Sequence, residues 1–109
     1  MNIKQLKKLN RASLLIGCSS AEMNADDPEK TRTAILEALQ HFNIKGATIT
    51  AGAGIWCGAL ESSINLQIIN NFIDGASFNS LIESLCSYLL EQLKQEEITV
   101  IIDSIMCNL

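Results

Sequence analysis

The feature that most constrains this chain is an alternation of apolar and polar residues on both sides of a glycine-rich turn. Before the turn, apolar residues alternate with threonine and glycine from Ala47 to Ala53. After the turn, apolar residues recur at every second position from Ile64 to Ile68. Side chains of a strand point to opposite faces in turn, so a period of two indicates strands. The short connection predicts an antiparallel hairpin over residues 46–70.

Two amphipathic helices are predicted outside the hairpin. The first is expected to begin at residues 26–29, Asp-Asp-Pro-Glu, and to end near residues 41–43. Aspartate accepts hydrogen bonds from the free N–H groups of a first turn, and proline fits that turn. The second covers residues 78–93, where apolar residues recur at spacings of three and four, with Ser77 as its expected cap.

The remaining apolar runs predict a first strand over residues 11–18 and a closing strand over residues 98–105. The order is then strand, helix, strand, strand, helix, strand. This order predicts an α+β, ferredoxin-like βαββαβ sandwich, with two helices on one face of an antiparallel sheet. A helical bundle is the competing interpretation, but it would have to override the alternation at residues 46–50 and 62–69.

Length and composition limit the chain to one small folded domain. Its 109 residues are enough for one core, so we expect a basic N-terminal lead over residues 1–10 and a single domain over 11–109. Apolar residues make up 48% of the chain and charged residues 18%, which excludes intrinsic disorder. The net charge is −4. Nucleic-acid binding is therefore not expected, because a phosphate-binding surface needs a basic excess.

The four cysteines indicate neither a metal site nor a disulfide framework. No two of them lie two to four residues apart, and no metal or other cofactor is expected. We expect a cytoplasmic protein with reduced thiols. The alternative is lipoprotein export, because basic residues precede Leu15-Ile16-Gly17-Cys18. The apolar stretch there is shorter than the roughly 7–15 residues of a signal peptide, and no membrane span is predicted.

Glu61 is the only charged residue between Lys45 and Asp74. A carboxylate that is removed from water in an apolar hairpin suits acid–base chemistry. Alternatively, it accepts hydrogen bonds from backbone N–H groups in the turn, or it pairs with a basic residue at a subunit contact. We place Glu61 at a ligand or interface site and assign no catalytic residue.

Four further candidates lie near Glu61. Trp56, the only tryptophan, anchors an interface or pocket wall, or else covers the end of the core. Gly54 and Gly58 allow a bulge or a close backbone approach, and their spacing does not match a dinucleotide-binding fingerprint. Ser63 belongs to a polar pair that enters a strand.

His41, the only histidine, is the last candidate for the binding site. At the end of a helix, a histidine is favoured by the helix dipole. The alternative role is that of a general base acting with Glu61. A cysteine nucleophile would pair Cys57 or Cys18 with His41, but no cysteine-enzyme signature accompanies them.

The hairpin resembles that of an uncharacterised bacterial family with a run "G-T…G-x-W…E-P-S". The matching residues are Gly46-Ala47-Thr48-Ile49, Gly54-Ile55-Trp56 and Glu61-Ser62-Ser63, then Ile64, Leu66 and Ile68, with Tyr88, Gln95 and Glu96 before the last strand. The resemblance spans residues 12–103, and Ser62 stands where the family has proline. It implies a ferredoxin-like, PII-like fold without an assigned reaction. PII-like proteins are typically oligomers that bind small ligands or proteins between subunits, so by analogy of fold it implies a homo-oligomer, dimer or trimer.

Three functions follow as expectations. The first is a non-catalytic oligomeric domain that binds a small ligand or a protein through the 46–70 hairpin. The second is an inhibitor or adaptor of one macromolecular partner, encoded by a phage or mobile element. The third is a small enzyme that uses Glu61, with or without His41.

Overall fold

The protein is described by a computed structural model that covers residues 6–19, 27–56, 58–70 and 74–108. The elements follow in the order β1 (Leu6–Gly17), α1 (Pro28–His41), β2 (Thr48–Trp56), β3 (Ala59–Asn70), α2 (Gly75–Leu93) and β4 (Thr99–Asn108). This is the predicted α+β, ferredoxin-like fold. Of the predicted basic lead, residues 1–5 lie outside the described residues.

The strands form one antiparallel sheet in the order β2-β3-β1-β4. Strand β1 begins at Leu6, within the segment expected to precede the domain. It starts there because β4 pairs along residues 6–15, with Leu6 opposite Asn108 and Leu15 opposite Thr99. Lys7 and Lys8 are exposed on this extension, so the sequence has no continuous apolar run that would predict a strand there.

Helix α1 begins as predicted. The Asp27 side chain accepts a hydrogen bond from the Lys30 N–H at 3.0 Å, and Pro28 occupies the first turn.

The predicted cap of α2 was wrong, because Asp74 and not Ser77 is the N-cap. Its carboxylate accepts hydrogen bonds from the Ser77 N–H at 2.8 Å and from the Ser77 hydroxyl at 3.0 Å. These hydrogen bonds lower the pKa of Asp74, and the bond from the Ser77 backbone N–H has the largest effect. Both residues are capping types, and the chain starts its helix at the earlier one.

The core lies between the helices and one face of the sheet. Alternate residues of the two central strands are fully or almost fully buried there, against Ile35 of α1 and against Phe78 and Leu85 of α2. The buried strand residues are Ala12, Leu14, Ile16, Ile64, Leu66 and Ile68. The pattern of period two therefore sets which face of each strand meets the helices.

Neither α1 nor α2 lies on the opposite face, and we call it the open face. It is formed by the intervening residues of β1 and β3 and their partners on β4, and it lies opposite the core. Its members include Ser13, Leu15, Gly17, Glu61, Ser63, Asn65, Gln67, Thr99 and Ile101. Within the described part of the chain, no helix is long and apolar enough to cross a membrane.

Candidate functional site

A cleft of about 290 Å³ opens at the end of the open face where β1 stops. We call it the Glu61 cleft. It is lined by Leu15, Gly17, Ser19, Glu61, Gln95, Glu96, Glu97 and Thr99. Strand β3 supplies Glu61, the end of β1 supplies the floor, and the connection between α2 and β4 supplies the acidic wall. Three separate parts of the chain therefore meet at one cleft.

The Glu61 side chain lies directly over Gly17. A methyl group placed on Gly17 would overlap the Glu61 carboxylate, so the missing side chain of Gly17 provides the space for it. Gly17 pairs with Ser63, the residue two places after Glu61, on the same face of the sheet. Within the described part of the chain, no hydrogen bond or ion pair engages this carboxylate. Glu61 is therefore positioned but available to a ligand.

Gln95 holds the floor of the cleft. Its side-chain amide donates hydrogen bonds to the Gly17 carbonyl and, at 3.1 Å, to the Ser19 carbonyl. The Cys18 N–H donates to the Ser62 carbonyl at 2.9 Å, which ties the same segment to β3. The backbone beneath Glu61 is thus held from both sides.

The electrostatic character of the cleft is acidic. Glu61, Glu96 and Glu97 contribute three carboxylates, and no described lining residue is lysine, arginine or histidine. Carboxylates on low-dielectric walls concentrate positive ligands. The arrangement can therefore attract a cationic small molecule. In the part of the chain that the structure describes, no group of three or more histidine, cysteine, aspartate or glutamate side chains could hold a metal ion.

The structure brings some of the predicted candidates to Glu61. Gly54 lies directly opposite it on β2, and Ser63 lies two residues along β3. Gly58 has φ +78, a conformation that favours glycine, and it forms the hairpin turn. The backbone of Trp56 pairs with Ala59 near this turn, but its side chain lies outside what the structure describes.

His41 lies elsewhere. It is exposed at the end of α1, and its ring stacks on Tyr88 of α2 with the centroids 4.8 Å apart. This contact is on the helix side of the sheet, whereas the Glu61 cleft is on the open face, so the two do not share a site. Of the cysteines considered as nucleophiles, Cys18 is buried and Cys57 lies outside the described residues.

Sequence reasoning missed most of the cleft's lining. Gln95, Glu96 and Glu97 are a polar run between a helix and a strand, which is the ordinary composition of a solvated loop. Only the resemblance pointed to Gln95 and Glu96. Gly17 looked like part of an apolar strand, and nothing in its neighbourhood shows that another side chain needs its space.

A second cleft, of about 670 Å³, lies between the end of α1, the start of β2 and the end of β3. It is lined mainly by apolar residues such as Phe42 and Ile44, with Lys45 as its one charged described residue. None of the predicted site residues lines it. The Glu61 cleft therefore remains the better candidate for a polar ligand.

The chain is similar in fold to a phage SAM lyase. The apo form of that enzyme superposes with a TM-score of 0.73 at 21% identity, covering 92% of this chain and 89% of the lyase. Its complex with S-methyl-5′-thioadenosine superposes with a TM-score of 0.72 at 20% identity, covering 93% and 90%. No protein-family model and no curated protein matches the chain.

Two further solved structures are also similar in fold. CutA from Synechococcus elongatus superposes with a TM-score of 0.53 at 13% identity, covering 93% of this chain and 80% of CutA. PII from Arabidopsis thaliana, bound to citrate, superposes with a TM-score of 0.51 at 11% identity, covering 86% and 71%. At these identities the likenesses show the fold, and they support the PII-like resemblance at that level alone.

Proposed function

We propose that this protein is an enzyme that cleaves S-adenosylmethionine (SAM) at the Glu61 cleft and releases S-methyl-5′-thioadenosine. The observation that carries the proposal is the acidic cleft in which Glu61 lies over Gly17. The likeness to a phage SAM lyase over about nine-tenths of both chains supports the choice of substrate. The proposal is the third expectation from the sequence, with His41 left out.

The charge of the cleft fits this substrate. SAM carries a sulfonium and an ammonium group, and three glutamates line the cleft that would hold them. A charged pair in a partly desolvated cleft attracts more strongly than the same pair in water. A neutral nucleoside would gain nothing from this arrangement, so the cleft favours the sulfonium compound over its thioether product.

The reaction needs few chemical groups from the protein. The bond between sulfur and Cγ of the amino-acid part breaks, and its electron pair goes to sulfur, which becomes the neutral thioether of S-methyl-5′-thioadenosine. A lyase uses no water, so an oxygen of the substrate's own α-carboxylate forms the new bond to Cγ as the sulfur leaves, and the amino-acid part closes into a five-membered lactone. Because a sulfonium leaves without being protonated, no general acid is needed, and a cleft without histidine or lysine suffices. Binding and orientation are then the main contributions.

The test is release of S-methyl-5′-thioadenosine from SAM, followed by liquid chromatography and mass spectrometry. Wild-type protein turns over many equivalents per chain, and Glu61→Gln, which removes the charge and keeps the size, lowers the rate by about 100-fold or more. The matched control is Glu83→Gln, on the exposed surface of α2, which keeps the wild-type rate. Absence of product from the wild type contradicts the proposal.

We also propose that the protein is a homo-oligomer that assembles through the 46–70 hairpin. Among the described residues, β3 is in register with β2 as far as Ala59 but with β1 only as far as Ser63, so the hairpin extends past β1. Near its turn Ile55 and Leu60 are cross-strand partners, with 73% and 78% of their surfaces exposed. A two-stranded ribbon is only marginally stable on its own, and a partner surface would cover its exposed apolar pair. A non-catalytic ligand-binding oligomer, the first expectation, would share this interface.

A further inference from the structure

We infer that Gln95 is a positioning residue of the Glu61 cleft, and this inference rests on the proposed function. Gln95 lies 34 residues from Glu61 in the chain, and within the described residues its side-chain hydrogen bonds go to backbone carbonyls and not to Glu61. It acts through the backbone that lies between them. By fixing the segment 17–19 it fixes the floor on which the Glu61 carboxylate rests.

The backbone of Gln95 is itself anchored. Helix α2 ends at Leu93, its C-cap Lys94 turns the chain with a φ of 54, and the Gln95 N–H donates to the Leu90 carbonyl at 3.1 Å. The side chain therefore starts from the end of a helix whose residues Leu85 and Leu89 are fully buried. Because this base is rigid, the Gln95 side chain fixes the end of β1 relative to α2.

The side-chain amide is chemically specific for this role. One nitrogen supplies two N–H donors, and both reach carbonyl oxygens, those of Gly17 and Ser19. A glutamate in the same place would offer only acceptors to two other acceptors. A methionine would keep the length of the side chain and lose both hydrogen bonds.

The position of the Gly17 backbone controls the position of Glu61. The carboxylate occupies the space where a Gly17 side chain would begin, so a shift of this backbone moves the carboxylate or blocks it. Glu96 and Glu97 follow Gln95 directly and line the same cleft.

The test compares Gln95→Met and Gln95→Glu with Gln92→Met, a control on the exposed surface of α2. We expect both Gln95 variants to stay folded and to lower kcat for release of S-methyl-5′-thioadenosine by about tenfold or more, with a smaller change in KM. Gln92→Met keeps the wild-type kcat. In a Glu61→Gln background, Gln95→Met causes no additional loss, because a positioning residue acts through the group it positions.

A second readout does not depend on activity. In carbon-13-labelled protein, Gln95→Met shifts or broadens the resonance of the Glu61 side-chain carboxyl carbon, and Gln92→Met leaves it unchanged. If the wild type does not cleave SAM, the proposed function fails and this resonance alone decides the role of Gln95. An unchanged resonance overturns the inference. So does a loss of kcat that adds in full to that of Glu61→Gln.

Discussion

At the scale of single residues, the candidate site depends on one side chain that is present and one that is missing. Glu61 reaches across the end of β1, and it can do so because Gly17 has no Cβ. Neighbouring Gly17, the buried Cys18 holds the segment to β3 through its N–H. Glu61 and Gly17 therefore form one structural unit, although 44 positions separate them in the chain.

Gly17→Ala tests this unit. The new methyl group displaces the Glu61 carboxylate, which is the flexible end of a side chain, so the fold persists while the carboxylate moves. We expect release of S-methyl-5′-thioadenosine to fall by about tenfold or more. The matched control is Gly46→Ala, where a Cβ meets no atom within 4 Å, and it keeps wild-type turnover. Equal activity of the two variants would show that Glu61 does not depend on Gly17.

The residue scale also shows where prediction from sequence ends. Glu61 could be found because a lone charge interrupts an apolar hairpin, and that is visible in a short window of sequence. Gln95 could not, because its role depends on carbonyl groups of Gly17 and Ser19, 78 and 76 positions away. Every residue has a backbone carbonyl, so the residue types at positions 17 and 19 do not show that a side chain binds there.

At the scale of elements, an ion pair joins β1 and β4, the first and the last of the four strands in sequence order. Arg11 of β1 lies directly opposite Asp103 of β4. Its guanidinium group donates two hydrogen bonds to the carboxylate, at 2.8 and 2.6 Å. These bonds, and the charge of Arg11, hold the pKa of Asp103 below its ordinary value of 3.8. The pair is partly exposed, so its contribution to stability is modest.

The sign of the shift gives a pH prediction. Because the pKa of Asp103 is lowered in the folded state, its contribution is present above pH 3.8 and is lost as the pH falls through the lower folded value. Asp103→Asn should therefore lower the urea midpoint at pH 7, and the difference from wild type should shrink below pH 3.8. Glu83→Gln, another exposed carboxylate, is the control at both pH values. A difference that grows in acid would contradict the argument.

The elements themselves were largely predictable. The period-two alternation identified β2 and β3, and the apolar stripe of period 3.6 identified α2, because each pattern follows from burying one face. The start of β1 was missed because Lys7 and Lys8 are exposed there and only the pairing with β4 makes the segment a strand. The N-cap of α2 was predicted at the wrong residue because Asp74 and Ser77 have similar capping preferences. Only the backbone conformation decides between them.

At the scale of the whole molecule, the shape is elongated, with principal extents of 50 × 26 × 20 Å. The core occupies one face of the sheet, while exposed apolar residues remain on the open face and near the hairpin turn. On the open face, Leu15 and Ile101 have 45% and 53% of their surfaces exposed. These surfaces are the ones that an assembly would cover.

A pair of matched substitutions tests the assembly. Leu60→Gln places a polar group near the hairpin turn, and we expect a smaller species than the wild type in light scattering at the same concentration. Leu36→Gln makes the same change at an exposed leucine of α1, outside the hairpin, and should leave the assembly intact. If both variants and the wild type are monomers at high concentration, the hairpin is not an interface.

The central claim is that the Glu61 cleft, and not the larger cleft beside Lys45, binds the nucleoside. An NMR titration of nitrogen-15-labelled protein with an uncleavable SAM analogue, in which a carbon bearing an ammonium group replaces the sulfonium, tests it most directly. The account predicts saturable shifts of the backbone amides of Gly17, Ser19 and Thr99, which line the Glu61 cleft, with those of Gly46 and Thr48 in the second cleft unchanged. Shifts confined to the second cleft, or no saturable shifts at all, would contradict it.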